Sequence, residues 1–163
     1  MWALPLAGER KPTLYLKTGF NQHQGRFSPD ARWVAYTSDE SGTNEVYVRP
    51  FPNTGGGRWQ VSNGGGAEPR WSGDGRAVYF VSTAQYLVEA RVQTSPTFRV
   101  SGLTPLFATA GFLVDAFQTS YDVSRDGRAF VFVSPRPSAA HARAPQLVRV
   151  DNWFSDLRNK LTQ

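Results

Sequence analysis

The chain has 163 residues, no cysteine, five Trp, six Tyr, eleven Phe, fifteen Gly and eleven Pro, with a net charge of +5 and a pI near 9.9. That length buries a core within one domain, and the lack of cysteine rules out disulfides, thiolate metal sites and a cysteine nucleophile. The basic residues are scattered apart from Arg10-Lys11 and the tail around Arg158 and Lys160, which reads as solvated surface charge rather than a nucleic-acid or membrane footprint.

No apolar run approaches the ~20 residues of a membrane span. The N-terminus has no basic region followed by an apolar core, so no signal peptide is read. The expectation is a soluble protein, cytoplasmic or, within a longer parent chain, periplasmic.

Residues 1–19 read as two short strands, 2–6 and 13–17, around a turn at 7–11. Residues 20–62 read as four strands. An inner strand at about 24–28 runs into the turn Ser28-Pro29-Asp30-Ala31, where Pro presets φ and the Ser and Asp side chains can bond nearby backbone N–H groups. The β-branched and aromatic stretch 33–38 follows as a second strand. The third strand, 45–49, puts Val46 and Val48 on one face and Tyr47 on the other, and the outer strand is 58–62.

Residues 63–107 repeat the plan with strands at 68–72, 77–82, 86–92 and 97–100. The glycines at 64–66 precede neither a Lys-Ser/Thr pair nor a helix, so they read as a crossover and not a phosphate loop. Residues 108–152 give strands at 120–124, 129–134 and 146–150, with a long Pro/Ala/Arg loop at 135–145. In the tail, 153–163, Trp153, Leu157 and Leu161 fall at i, i+4 and i+8, which predicts a short amphipathic helix.

The three inner-to-second-strand junctions share the frame Ser-x-Asp-Gly/Ala-Arg followed by an apolar strand ending in Ser. Ser28, Ser72 and Ser124 mark it, 44 and 52 residues apart. Self-similarity at that period is the mark of a propeller with one four-stranded blade per repeat. The repeat resembles the TolB-like, WD-repeat-like β-propeller family, in which Ser-Pro-Asp-Gly-Arg/Lys opens the second strand of each blade. The resemblance covers nearly the whole chain and implies an all-β propeller portion of about three and a half blades. It further implies that the 1–19 strands are the outer half of a blade, and that Pro105-Leu106-Phe107 is an outer connection packing beneath the blades. Three blades fall short of the four that the smallest propellers use. The sequence therefore predicts a homodimer closed to a six-bladed-like ring, with the N-terminal strand pair completing blade three, or else a fragment of a longer propeller.

The motif specifies the fold and not a function. Inner strands line the channel of a propeller. Counting back from the motif serines, Gln24, Glu68 and Ser120 lie four residues before, and His23, Ala67 and Thr119 five before. The family resemblance makes His23, Gln24, Glu68 and Ser120 a candidate binding set at the channel mouth, for a protein, peptide or small ligand. His23 and Glu68 are also competent ligands for a divalent metal such as zinc or calcium, and a two-fold dimer would supply two of each. The alternative function is then a metal-dependent hydrolase of esters, lactones or phosphotriesters. Asp30, Asp74 and Asp126 read as turn caps, His141 as solvated, and the tryptophans at 33, 59, 71 and 153 as packing residues. No Gly-x-Ser-x-Gly or kinase motif is present, and the reading favours a non-catalytic module.

Overall fold

The computed structural model describes residues 1–112 and 118–134. Two four-stranded antiparallel meanders dominate it. Blade 1 is β3 (Gln22–Phe27), β4 (Trp33–Ser38), β5 (Glu45–Pro50) and β6 (Trp59–Gln60). Blade 2 is β7 (Gly66–Trp71), β8 (Ala77–Ser82), β9 (Tyr86–Gln93) and β10 (Arg99–Ala108). Before them, β1 (Trp2–Ala3) pairs with β2 (Thr13–Leu14); after them, β11 (Tyr121–Val123) pairs with β12 (Phe130–Phe132) and forms the described part of blade 3.

The repeated turn explains the inner hairpins. In each copy the serine hydroxyl donates to the aspartate two residues on, at 2.6–2.7 Å, and accepts from the N–H five residues on: Trp33, Ala77 and Ala129. The same aspartate oxygen accepts from the N–H of Arg32, Arg76 or Arg128. Turn donors that β pairing leaves idle are thus satisfied locally.

Alternation along the second strands sends side chains to both neighbours of a blade. Trp33 and Ala35 join Val46, Val48, Trp71, Val78, Phe80 and Val88 between blades 1 and 2. Tyr36 and Tyr47 point the other way and pack on Leu16, Tyr15 and Met1 of the N-terminal pair. Ala77, Tyr79, Val81 and Leu87 face Tyr121, Val123, Phe130 and Phe132. The second strand of each whole blade is therefore buried on both faces.

Strand lengths differ from the sequence reading at several places: the strands expected at 2–6, 13–17 and 129–134 shorten to Trp2–Ala3, Thr13–Leu14 and Phe130–Phe132. The outer strand of blade 2, expected at 97–100, continues to Ala108 and absorbs the segment expected as a separate connection. β9 offers an eight-residue edge, and two bulges, between Val100 and Gly102 and between Pro105 and Phe107, keep the pairing in step. Pro105 is tolerated because β10 is an edge strand. Conversely, β6 keeps only two paired residues of the expected 58–62. The expected strand at 146–150, the loop at 135–145, His141 and the C-terminal helix with Trp153 lie outside the described residues.

Candidate functional site: the inner-strand row

The inner strands β3 and β7 each carry a bulge at the same repeat position, between His23 and Arg26 and between Ala67 and Arg70. At each bulge a non-glycine residue takes the left-handed conformation, Gln24 at φ 57° and Glu68 at φ 59°. Such backbone is disfavoured for a long side chain, and compensating bonds are visible. The Oε1 atom of Gln24 accepts from the Glu68 N–H at 3.0 Å and from the Thr37 hydroxyl at 2.8 Å. Glu68 repeats the reach one blade later, with Oε2 accepting from the Ser120 N–H at 2.5 Å. The positions four residues before the motif serines thus form a relay, each side chain gripping the backbone of its counterpart in the next blade.

Two further ties follow the same direction. The Trp71 Nε1–H donates to the Arg26 carbonyl, and the Tyr121 hydroxyl to the Glu68 carbonyl at 2.8 Å. Burial, with Glu68 nearby, pushes the Tyr121 phenol well above its ordinary value, so it stays a donor throughout the physiological range. Glu68 itself is fully buried.

The row two residues before each serine is Arg26, Arg70 and Asp122. Arg70 pairs through Nε with Asp122 at 3.2 Å; the arginine side chain is 13% exposed and the aspartate 68%. Arg26 reaches past blade 2 and donates to the Thr119 hydroxyl at 2.9 Å, while Gln24 Nε2 donates to the Gln118 carbonyl. Burial lowers the Arg26 pKa, and the like charge of Arg70 lowers it further. Two guanidinium groups and one carboxylate share this wall.

Two solved structures that the chain matches are β-propellers. TolB from Acinetobacter baumannii aligns over 85% of this chain and 32% of its own, at 21% identity and a TM-score of 0.57. Oligogalacturonate lyase from Vibrio parahaemolyticus aligns over 81% of this chain and 35% of its own, at 16% identity and a TM-score of 0.51.

The fold is a partial TolB-like β-propeller.

The chain spans about a third of the length of these two structures. No protein-family model and no curated protein matches it. Among the described residues, no helix is long and apolar enough to cross a membrane.

Within this propeller portion, the residues read from the sequence as a channel-mouth set fall in two groups. Gln24, Glu68 and Ser120 come together as the inter-blade relay. His23 sits half-buried on β3, in register with Thr37 and within electrostatic reach of Asp39. Among the described residues no three His, Asp or Glu side chains converge as a metal-ligand group. The row of Arg26, Arg70 and Asp122 was missed by sequence reasoning. The same counting, stopped two residues before each serine, would have found it.

Proposed function

We propose that the chain is a propeller-type binding module whose channel wall takes a carboxylate-bearing ligand, either a small acid or an acidic peptide. Arg26 carries this reading. Its guanidinium is partly withdrawn from water beside the like charge of Arg70, its acceptors are a hydroxyl and a carbonyl, and the neighbouring Asp122 is paired to Arg70. A ligand carboxylate would add to the single negative charge, Asp122, that Arg26 shares with Arg70, and a planar guanidinium recognises it in two-point fashion.

The test is calorimetric titration of wild type and Arg26→Gln with citrate, succinate and an acidic peptide. Wild type should bind at least one of them, more weakly as salt rises, and Arg26→Gln should lose about tenfold or more in affinity. Equal affinity of the two proteins for every acid would exclude the site. The metal-dependent hydrolase reading needs Glu68 to release the Ser120 N–H in favour of a metal, and no observation favours it over binding.

A further inference from the structure

We infer that Asn63-Gly64, in the crossover from blade 1 to blade 2, is a self-modifying site: its amide converts without an enzyme to isoaspartate, and the conversion loosens the crossover. The chemistry is intramolecular. The Gly64 nitrogen gives its proton to water and attacks Cγ of Asn63. The Cγ–Nδ2 bond breaks, ammonia leaves and a five-membered succinimide closes. Water then opens the ring. Attack at Cγ returns aspartate. Attack at the main-chain carbonyl of residue 63 gives isoaspartate, whose backbone runs through Cγ and is one methylene longer. One water enters and one ammonia leaves, and the balance needs no oxidant or reductant.

Several observations single out this pair. Both residues are exposed, and a methyl at Gly64 would meet nothing within 4 Å, so the attacking nitrogen and the ring are unshielded. Among the described residues the Asn63 amide makes no hydrogen bond and the Gly64 N–H donates none. The pairs Asp74-Gly75 and Asp126-Gly127 could close the same ring, but both partners are tied. Their carboxyls accept from the serine hydroxyl and the arginine N–H of the turn. Their glycine N–H groups donate to the carbonyls of Ser72 and Ser124 at 3.0 and 2.9 Å. Asn21 donates to Asp39, and Asn53 accepts from the Gly55 N–H. Asn44 runs directly into the paired strand β5.

The consequence follows from what anchors the crossover. Glu45, 4% exposed, accepts from the Ser62 hydroxyl and from the Gly65 N–H at 2.8 Å. The Ser62 hydroxyl accepts in turn from the Val46 N–H at 2.7 Å. The Gly66 N–H donates to the Asn44 carbonyl at 2.9 Å, and the Thr83 hydroxyl donates to the Gly64 carbonyl at 2.7 Å. Only Asn63 and Gly64 lie between the anchors at Ser62 and Gly65. An extra methylene in that span cannot leave both ends in place. Ser62 is held as donor and as acceptor, so the bonds of Gly65 and Gly66 give way.

The test is to age the protein in mildly alkaline buffer beside Asn63→Gln and beside a free peptide of residues 61–67. Products are mapped by mass spectrometry, with an isoaspartate-specific methyltransferase as a second readout. Isoaspartate should build up at residue 63, faster as pH rises, at a rate within about tenfold of the peptide's, as an exposed loop tip allows. Position 63 is exposed, so Asn63→Gln should fold as wild type does, and its side chain, which would need a six-membered ring, should stay intact. Hydrogen exchange at Gly65 and Gly66 should be about tenfold or more faster in the aged protein than in Asn63→Gln aged the same way. Freshly purified Asn63→Asp has the charge without the methylene and should match Asn63→Gln. Conversion about a hundredfold slower than in the peptide would show that the fold denies the attack, and would overturn the inference. Aspartate as the main product would overturn it too. Unchanged exchange after conversion, or an equal rise in Asn63→Asp, would overturn the loosening.

Discussion

The seam between blades 1 and 2 is filled by Trp71 and by Trp33, Trp59 and Phe98, whose ring centroids lie 5.3–5.5 Å apart, over a bed of valines. The seam between blades 2 and 3 is filled by Tyr79, Tyr121, Phe130 and Phe132, with Tyr79 edge-on to Phe130 and Tyr121 stacked on Phe132 at 5.1 Å. The apolar chemistry differs, yet the polar relay is the same in both. It is neutral in the first seam, through Gln24, and built on a carboxyl side chain in the second, through Glu68. A core tolerates many fillings of similar volume. An inter-blade hydrogen bond from a backbone N–H favours a narrower range of distance and direction. The relay is therefore the feature the two seams share, while their aromatic filling differs.

Glu68→Ala should break the comparison most strongly. It strips the acceptor from the buried Ser120 N–H and costs about 3 kcal/mol, concentrated in the second seam. Hydrogen exchange should rise across residues 120–132 and stay near wild type across 33–48. Glu68→Gln keeps an acceptor and should cost less than half as much in urea unfolding. An equal loss of protection in both seams would contradict the view that each link holds its own pair of blades.

Gly73→Ala should come next. A methyl there would lie 1.9 Å from the Arg125 carbonyl oxygen, so the blade 3 turn must move away. The expected cost is about 2 kcal/mol. Gly102→Ala is the matched control, since a methyl at that position meets nothing within 4 Å, and its melting temperature should hold or rise slightly. A neutral Gly73→Ala would mean that the two turns do not touch in solution.

The smallest effect concerns acid. The Asp30, Asp74 and Asp126 carboxyls are all held below their ordinary value, first by the serine hydroxyl of their own turn. A carboxyl whose folded-state pKa is depressed contributes stability above its unfolded value of about 4, and that contribution is lost as pH falls through the lower folded value. Melting temperature should therefore be flat in this term down to about pH 4 and then fall. Asp74→Asn should flatten the acid limb; an unchanged limb would assign the acid loss to other groups.

Local chemistry made much of this legible in advance. The Ser-x-Asp turn closes within six residues of chain, so Ser28, Asp30 and Trp33 carry its geometry in their own order. The alternation of Val46, Tyr47 and Val48 likewise announced two buried faces. The tenth strand was harder, because Pro105 reads as a breaker until its place at a sheet edge is known. Glycine at 73, where the other repeats carry Pro29 and Arg125, gave no local hint that a carbonyl from the next blade lies against it.

The sequence by itself determined the repeat, its turns and the two-sided blades, because hydrogen bonds and side-chain alternation over a few residues need no knowledge of the neighbouring blade. Only the tertiary structure decided what the inner-strand polar residues do. Gln24 and Glu68 sit 44 residues apart, and Glu68 grips Ser120 across a further blade. Whether such side chains face a channel or grip a neighbour depends on a bulge and a left-handed backbone that bring blades to a fixed angle, and that geometry exists only once the blades have packed.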